Sequence, residues 1–283
     1  VTSDEQVSAP DPLPAPVIDT HCHLDISDAD RGRGLDPDTA LEQARAVGVR
    51  GVVQVACDVP SARWAVEFAR TRPEVVAAVA LHPNEVPRVE ARAGRAGLAE
   101  AWAEIERLAA DPAVRAVGET GLDFYRTGQE GRSVQEESFR RHIAMASSLD
   151  RTLVIHDRDA HDDVVRVLES EGAPQRVVFH CFSGDVALAR ICRERGWFAS
   201  FAGVVTFKGA ADLRTALREV PDDLLLVETD APYLTPAPHR GRANASYLMP
   251  WTVRAIAEAR DADLDHTCHL LEANAVRAFG PIG

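Results

Sequence analysis

Lysine is nearly missing from this chain of 283 residues: Lys208 is the only one, and arginine carries the remaining fixed positive charge. Acidic residues outnumber basic ones by 44 to 31, for a net charge of −13. That balance excludes a broad basic face gripping nucleic acid by counterion release. It leaves phosphate substrates open, because bound divalent cations would invert the local field. Cysteines number five, an odd count, and no two have CxxC spacing. A disulfide framework and a thiolate zinc site are both disfavoured, and reduced thiols in a cytoplasmic protein are expected. No apolar run reaches the length of a membrane span, so no membrane association is expected. No basic segment leads into an apolar one at the N-terminus, so nothing points to secretion. No GxGxxG turn occurs anywhere.

What is present is an ordinary globular composition, 46% apolar and 27% charged, in a chain long enough to bury one large core. Residues 1–16, VTSDEQVSAPDPLPAP, read as a disordered, Pro-rich and acidic tail. From residue 17 short β-branched runs alternate with longer helical patterns. The runs are VIDTH (17–21), GVVQVA (51–56), VVAAVAL (75–81), VRAVGE (114–119), TLVIH (152–156), RVVFH (176–180), WFASF (197–201) and LLLVET (224–229). Helical spacing falls near 38–48, 60–70, 97–110, 134–149, 160–171, 185–195 and 209–219, with terminal helices over 247–279. The runs are apolar on both faces, as in a buried parallel sheet. Eight such repeats predict an α/β fold, a (β/α)8 TIM barrel forming a single domain over 17–283. An open doubly wound sheet competes, but the eightfold count and the missing GxGxxG favour the barrel.

The strand ends carry the chemistry. In 17-VIDTHCHLDI-26 alternation puts Asp19, His21 and His23 on one side and Cys22 on the other. Strand 4 is expected to end in Glu119, strand 5 in His156, strand 6 in His180, and strand 8 in Glu228, Thr229 and Asp230. A lone polar residue there caps a helix, which suffices for Thr229 or Ser183. Four histidines, a glutamate and an aspartate crowded together without a cation would be costly. In a closed parallel barrel those ends form the active-site face. Imidazole and carboxylate donors suit Zn²⁺, Mn²⁺ or Fe, and Mg²⁺ less readily. Six donors exceed what one catalytic zinc uses with a position left open, so two divalent ions are expected. Many binuclear barrel hydrolases bridge their ions with a carboxylated lysine. Lys208 follows strand 7 and cannot do so, and Glu119 takes that place.

With these residues in hand, the sequence resembles the TatD family of metal-dependent deoxyribonucleases, among the amidohydrolase-like TIM barrels. The resemblance covers about 17–280 and rests on DTHCHLD (19–25), LHP (81–83), GETGLDFYR (118–126), VIHDRDA (154–160), HCFSG (180–184), GVVTFK (203–208), ETDAPYLTP (228–236) and NAVRAFG (274–280). It implies that His21 and His23 bind one metal, that His156 and His180 bind the other, and that Glu119 bridges. Asp230 would bind the first metal and orient or deprotonate the attacking water. His82 would contact the substrate phosphate or assist the leaving oxygen; the alternative is a loop residue before a proline. Glu228, on the strand face of Asp230, would orient a ligand. Tyr125, Arg126, Arg158 and Lys208 could contact phosphate, or be solvated loop residues.

The implied activity is hydrolysis of DNA phosphodiesters by a metal-generated hydroxide, with 3′–5′ exonuclease action on single-stranded DNA and a role in repair or DNA breakdown. No obligate protein partner is evident. Rival readings are an ester deacylase acting on aminoacyl-tRNA with the same site, and a non-catalytic metal-binding protein. Three positions depart from the family: Ala80 for Gly, Asp157 for Ser, and Arg240–Ser246, RGRANAS, for RGKRNEP. The last alters a substrate-side loop.

Overall fold

The computed structural model describes residues 7–26 and 35–283. Its strands are β1 (Val17–Cys22), β2 (Val49–Val55), β3 (Val75–Val79), β4 (Val114–Asp123), β5 (Thr152–Arg158), β6 (Val177–Phe179), β7 (Phe198–Phe201) and β8 (Leu225–Val227). Between and after them come α1 (Pro37–Ala46), α2 (Val59–Arg70), α3 (Glu85–Ala109), α4 (Gln129–Ser148), α5 (His161–Glu171), α6 (Val186–Arg195), α7 (Ala211–Glu219), α8 (Met249–Ala259) and α9 (Leu264–Phe279). The strands form one sheet in sequence order, β1 to β8. The pairs β3–β4, β4–β5, β5–β6 and β7–β8 are parallel. A parallel bridge, Cys22 to Ala231, joins the ends of β1 and β8. This is the expected (β/α)8 barrel topology.

The local chemistry explains the punctuation. Asp58 and Ser61 form a reciprocal capping box that starts α2, and Asp185 accepts from two amides of the first turn of α6, so the orphan N–H groups are met. Gly196, in the left-handed region, stops α6. Helix α3 begins twelve residues before the expected 97, because a segment from Glu85 joins it across a break at Gly94 (φ 69°).

By internal contacts the chain divides into two compact units. The first comprises 1–53, 184–277 and 282–283, and the second 54–183 and 278–281. In the first, Ile18, Phe201, Leu226 and Ile256 are fully buried; in the second, Phe139, Phe179, Ile105 and Leu168 are. Among the described residues no helix is long and apolar enough to cross a membrane.

The tail expected to be disordered over 1–16 is corrected for residues 7–16; residues 1–6 lie outside the described residues. Leu13 and Ala15 are buried. The Leu13 N–H donates to the Val47 carbonyl at 3.0 Å, the Tyr247 hydroxyl to the Val7 carbonyl at 2.8 Å, and Arg254 to the Asp11 and Pro12 carbonyls. Proline removes donors but leaves carbonyls free to accept, so side chains of the folded body tie this segment down.

Candidate functional site

In the first unit, His21 lies at the end of β1, His23 directly follows that strand, and Asp230 follows β8. The Asp230 N–H donates to the His21 carbonyl at 2.9 Å, and the His23 N–H to the Ala231 carbonyl at 2.8 Å, so the two strand ends are zipped together by backbone. The Nε2 atoms of the two imidazoles face each other at 3.3 Å, and Asp230 Oδ1 lies 3.7 Å from His21 Nε2 and 3.4 Å from His23 Nε2. Two ring nitrogens at that distance can share one proton at most. A cation satisfies both lone pairs and the carboxylate, so the donor set fits a divalent metal.

Asp19, one strand repeat earlier, is fully buried. It accepts from the Thr229 N–H at 2.9 Å, the Thr229 hydroxyl at 2.6 Å and the Ser246 hydroxyl at 2.7 Å. Burial pushes its carboxyl up to about 6 against those hydrogen bonds. Asp19 thus holds the backbone just before Asp230. Glu228 is fully buried, and its N–H donates to the Phe201 carbonyl at 3.2 Å.

In the second unit four strands contribute. Glu119 Oε2 lies 2.9 Å from His180 Nε2, 3.3 Å from His156 Nδ1 and 3.7 Å from His82 Nε2. His156 Nε2 is 3.2 Å from Asp123 Oδ2. That contact puts the ring proton on Nε2 and turns the Nδ1 lone pair toward Glu119. A lone pair facing a carboxylate repels unless a proton or a cation lies between, so this cluster also fits a metal. Burial would lower His156, but the Asp123 and Glu119 carboxylates on either side of the ring raise it overall, a setting that favours positive charge between them. Burial would raise Glu119, yet His82 and His180 hold it well below the usual carboxylate range. Asp123 is likewise held low: against burial stand its hydrogen bonds with His156 and Asn84. Burial brings His82 down to about 3, and the Asn84 N–H donates to its Nδ1 at 3.0 Å. His82 is therefore a neutral ring with its proton on Nε2.

Glu119 is not at the end of its strand, as expected; β4 runs on to Asp123. The β4–β5 register shifts between Val117 and Thr120, then resumes with Thr120 opposite Ile155 and runs through Gly121 opposite His156 to Asp123 opposite Arg158. The irregularity re-aims Glu119. Glycine permits it: a Cβ on Gly118 would meet the Val154 Cβ at 2.5 Å, and one on Gly121 the His156 carbonyl oxygen at 2.1 Å. Beyond this point Arg158 lies 3.9 Å over the exposed Tyr125 ring, and the Arg126 N–H donates to Asp123 Oδ1 at 2.8 Å. Lys208 is exposed in the first unit.

Sequence reasoning missed Asp123, Asn84 and His142. Asp123 was recoverable, since it stands at even spacing from Glu119. Asn84 Nδ2 donates to Asp123 Oδ2 at 2.7 Å from the loop before α3, and nothing in the sequence links the two. Buried His142, on α4, accepts from the Leu81 N–H at 3.5 Å and pairs with the Thr120 hydroxyl at 2.7 Å. It fixes the neighbours of His82 and Glu119.

Within each unit, three donors that could hold a metal converge to within 4.8 Å of one another: His21, His23 and Asp230, and His82, Glu119 and His156. Residues 18–280 match the family TatD related DNase. The chain belongs to that family. It is 46% identical over 271 residues to the uncharacterized metal-dependent hydrolase TatD of Mycobacterium tuberculosis, covering 93% of this chain and 98% of the relative. It is 38% identical over 246 residues to the uncharacterized metal-dependent hydrolase YcfH of Escherichia coli, covering 86% of each. Among solved structures, the TatD homolog YJJV of Escherichia coli superposes with a TM-score of 0.83 at 24% identity, covering 94% of this chain and 98% of that one. Through its TatD relatives the chain is a metal-dependent hydrolase.

Proposed function

We propose that this TatD-family hydrolase cleaves DNA phosphodiester bonds, as a 3′–5′ exonuclease on single-stranded DNA, using one divalent cation (Zn²⁺, Mn²⁺ or Mg²⁺) at each cluster. The setting we assign is DNA repair or breakdown in the cytoplasm. The observation that carries this reading is the pair of imidazole–carboxylate clusters in a chain whose family is named for DNase activity. When bound, divalent cations ease the ionisation of water and offset charge developing on phosphoryl oxygens. His21, His23 and Asp230 would hold one cation, and Glu119, His156 and His180 the other.

The protein's own groups divide the remaining work. Asp230 is the solvent-reaching member of its cluster, with a side chain 14% exposed against 0% and 3% for the two imidazoles. It is placed to accept the proton of the attacking water. His82, neutral and protonated on Nε2, donates a hydrogen bond to a phosphoryl or leaving oxygen rather than serving as a charged acid. Asp123 keeps His156 in the tautomer that presents Nδ1.

The test is cleavage of 3′-labelled single-stranded DNA by chelated protein, by protein reloaded with each metal, and by Asp230→Asn. Metal-dependent cleavage that the variant loses supports the reading. Activity surviving exhaustive chelation overturns it. Metal-loaded protein that leaves DNA intact but hydrolyses an aminoacyl ester moves the assignment to an ester deacylase.

A further inference from the structure

Acidic residues are unevenly spread. The chain holds 44, yet none falls from Ala231 to Ala257 or from Arg195 to Ala211. The first unit packs these two acid-free segments against each other. Gly203 leaves room where a Cβ would meet the Leu234 carbonyl oxygen at 2.2 Å. The Ala237 N–H donates to the Thr206 hydroxyl at 2.7 Å. The Arg240 guanidinium lies 4.1 Å over the Phe207 ring, an arrangement that pre-orders its planar fork. Arg214 donates to the Val205 and Phe207 carbonyls at 2.9 and 2.8 Å, fixing the turn below. Lys208, Arg240 and Arg242 are exposed on this surface.

The same loop is anchored beside a proposed ligand. The Tyr233 N–H donates to the Asp230 carbonyl at 2.8 Å. Asn244 Nδ2 returns to the Thr229 and Tyr233 carbonyls at 2.9 and 2.6 Å. The Tyr233 ring is 51% exposed and 6.3 Å from the His23 ring. An exposed aromatic beside a proposed ligand, two exposed cations further along its segment and a third on the facing segment, with no carboxylate in either, have the makeup of a stacking platform leading into a phosphate track.

We infer that Tyr233, Lys208, Arg240 and Arg242 form a binding surface for single-stranded nucleic acid, with the Tyr233 ring on a base and the three cations on successive backbone phosphates. This deepens the nuclease reading, on which it rests, by naming the residues that hold the strand beyond the reacting phosphate.

The test is equilibrium binding of a fluorescein-labelled phosphorothioate oligothymidylate to the full chain, followed by anisotropy across rising salt. Lys208→Gln/Arg240→Gln is expected to weaken binding at low salt by about tenfold or more, and to lower the salt slope by about 1.4, or about 0.7 per lost phosphate contact. Tyr233→Ala should weaken binding about fivefold or more with the slope unchanged. Arg63→Gln/Arg88→Gln, which removes equal charge from the surfaces of α2 and α3, should bind like wild type. Circular dichroism and metal content check that each variant is folded. Wild-type protein that does not bind the oligonucleotide overturns the inference, as do site variants that bind no worse than the control. Cleavage by the same preparations reads separately: binding without cleavage counts against the nuclease reading and leaves the surface standing.

Discussion

His21, His23 and their supporting carboxylate Asp19 lie at alternate positions along β1 and the residue that follows it, and only Asp230 comes from elsewhere. His82, Glu119, His156 and His180 each come from a different strand or the loop after it, and Asp123 joins them because β4 overruns its expected end. The two supporting carboxylates also act on different things. Asp123 grips an imidazole through Nε2, whereas Asp19 grips the Thr229 amide and two hydroxyls. One cluster is positioned through backbone and the other through side chains. A cluster built on local alternation needs its partner segment docked; a cluster gathered from several strands needs each ring oriented.

Removing a ligand should break the comparison hardest. Asp230→Asn and His180→Ala are each expected to lower DNA cleavage by more than the roughly 100-fold typical of outer-shell changes, and to lower the metal held per chain. Metal equivalents per chain, measured by elemental analysis, check this. Full metal content with unchanged cleavage in either variant would contradict a ligand role for the residue replaced.

The supporting carboxylates come next. Asp123→Asn should cost about 10–100-fold in metal affinity or activity with little change in stability. Asp19→Asn should instead show in denaturant melts as a loss of about 1–3 kcal/mol, since it disturbs a buried network. Equal stability losses from the two would erase the distinction drawn here.

A smaller effect isolates His142. Burial lowers its native pKa to about 3 from 6.5. Below pH 6.5 the unfolded chain takes up a proton that the native state refuses until about pH 3, so stability falls with pH through that window. The slope is at most about 1.4 kcal/mol per pH unit, and it vanishes above 6.5. Asp19 works in the opposite sense, its native pKa of about 6 lying above 3.8, so it favours folding as pH falls between those values. Urea melts at neutral and mildly acidic pH should show a shallower acid loss in His142→Gln than in wild type. An unchanged slope would mean that the ring is not kept neutral.

The barrel was legible because each strand is a β-branched run bounded by helical spacing, and the ends of those runs named the ligand-type residues directly. Spacing shows the first cluster, since HxH is a two-residue repeat. The second was visible only as separate strand ends. Sequence alone could not show the overrun of β4, because the chain stays extended past Glu119 only where Gly118 and Gly121 let β5 come close. Nor could it show Asn84 or His142, whose partners lie on other elements. The N-terminal segment misled for a related reason: a proline-rich, acidic composition speaks to its own propensity and says nothing of carbonyls that Tyr247 and Arg254 can reach.

That segment bears on where the chain can be cut. A shortened protein starting at Val17, the first residue of the first strand, would strip the Leu13 side chain from Gly48, whose Cβ position lies 3.2 Å from the Leu13 Cβ, and would leave the Tyr247 hydroxyl and the Arg254 guanidinium without the carbonyls they bind. Tyr247 directly follows Ser246, which donates to Asp19. Trimming sixteen residues that carry no proposed ligand would therefore loosen the segment that braces Asp230, and a crystallisation or fusion version designed from the strand pattern alone would start with a weakened active site.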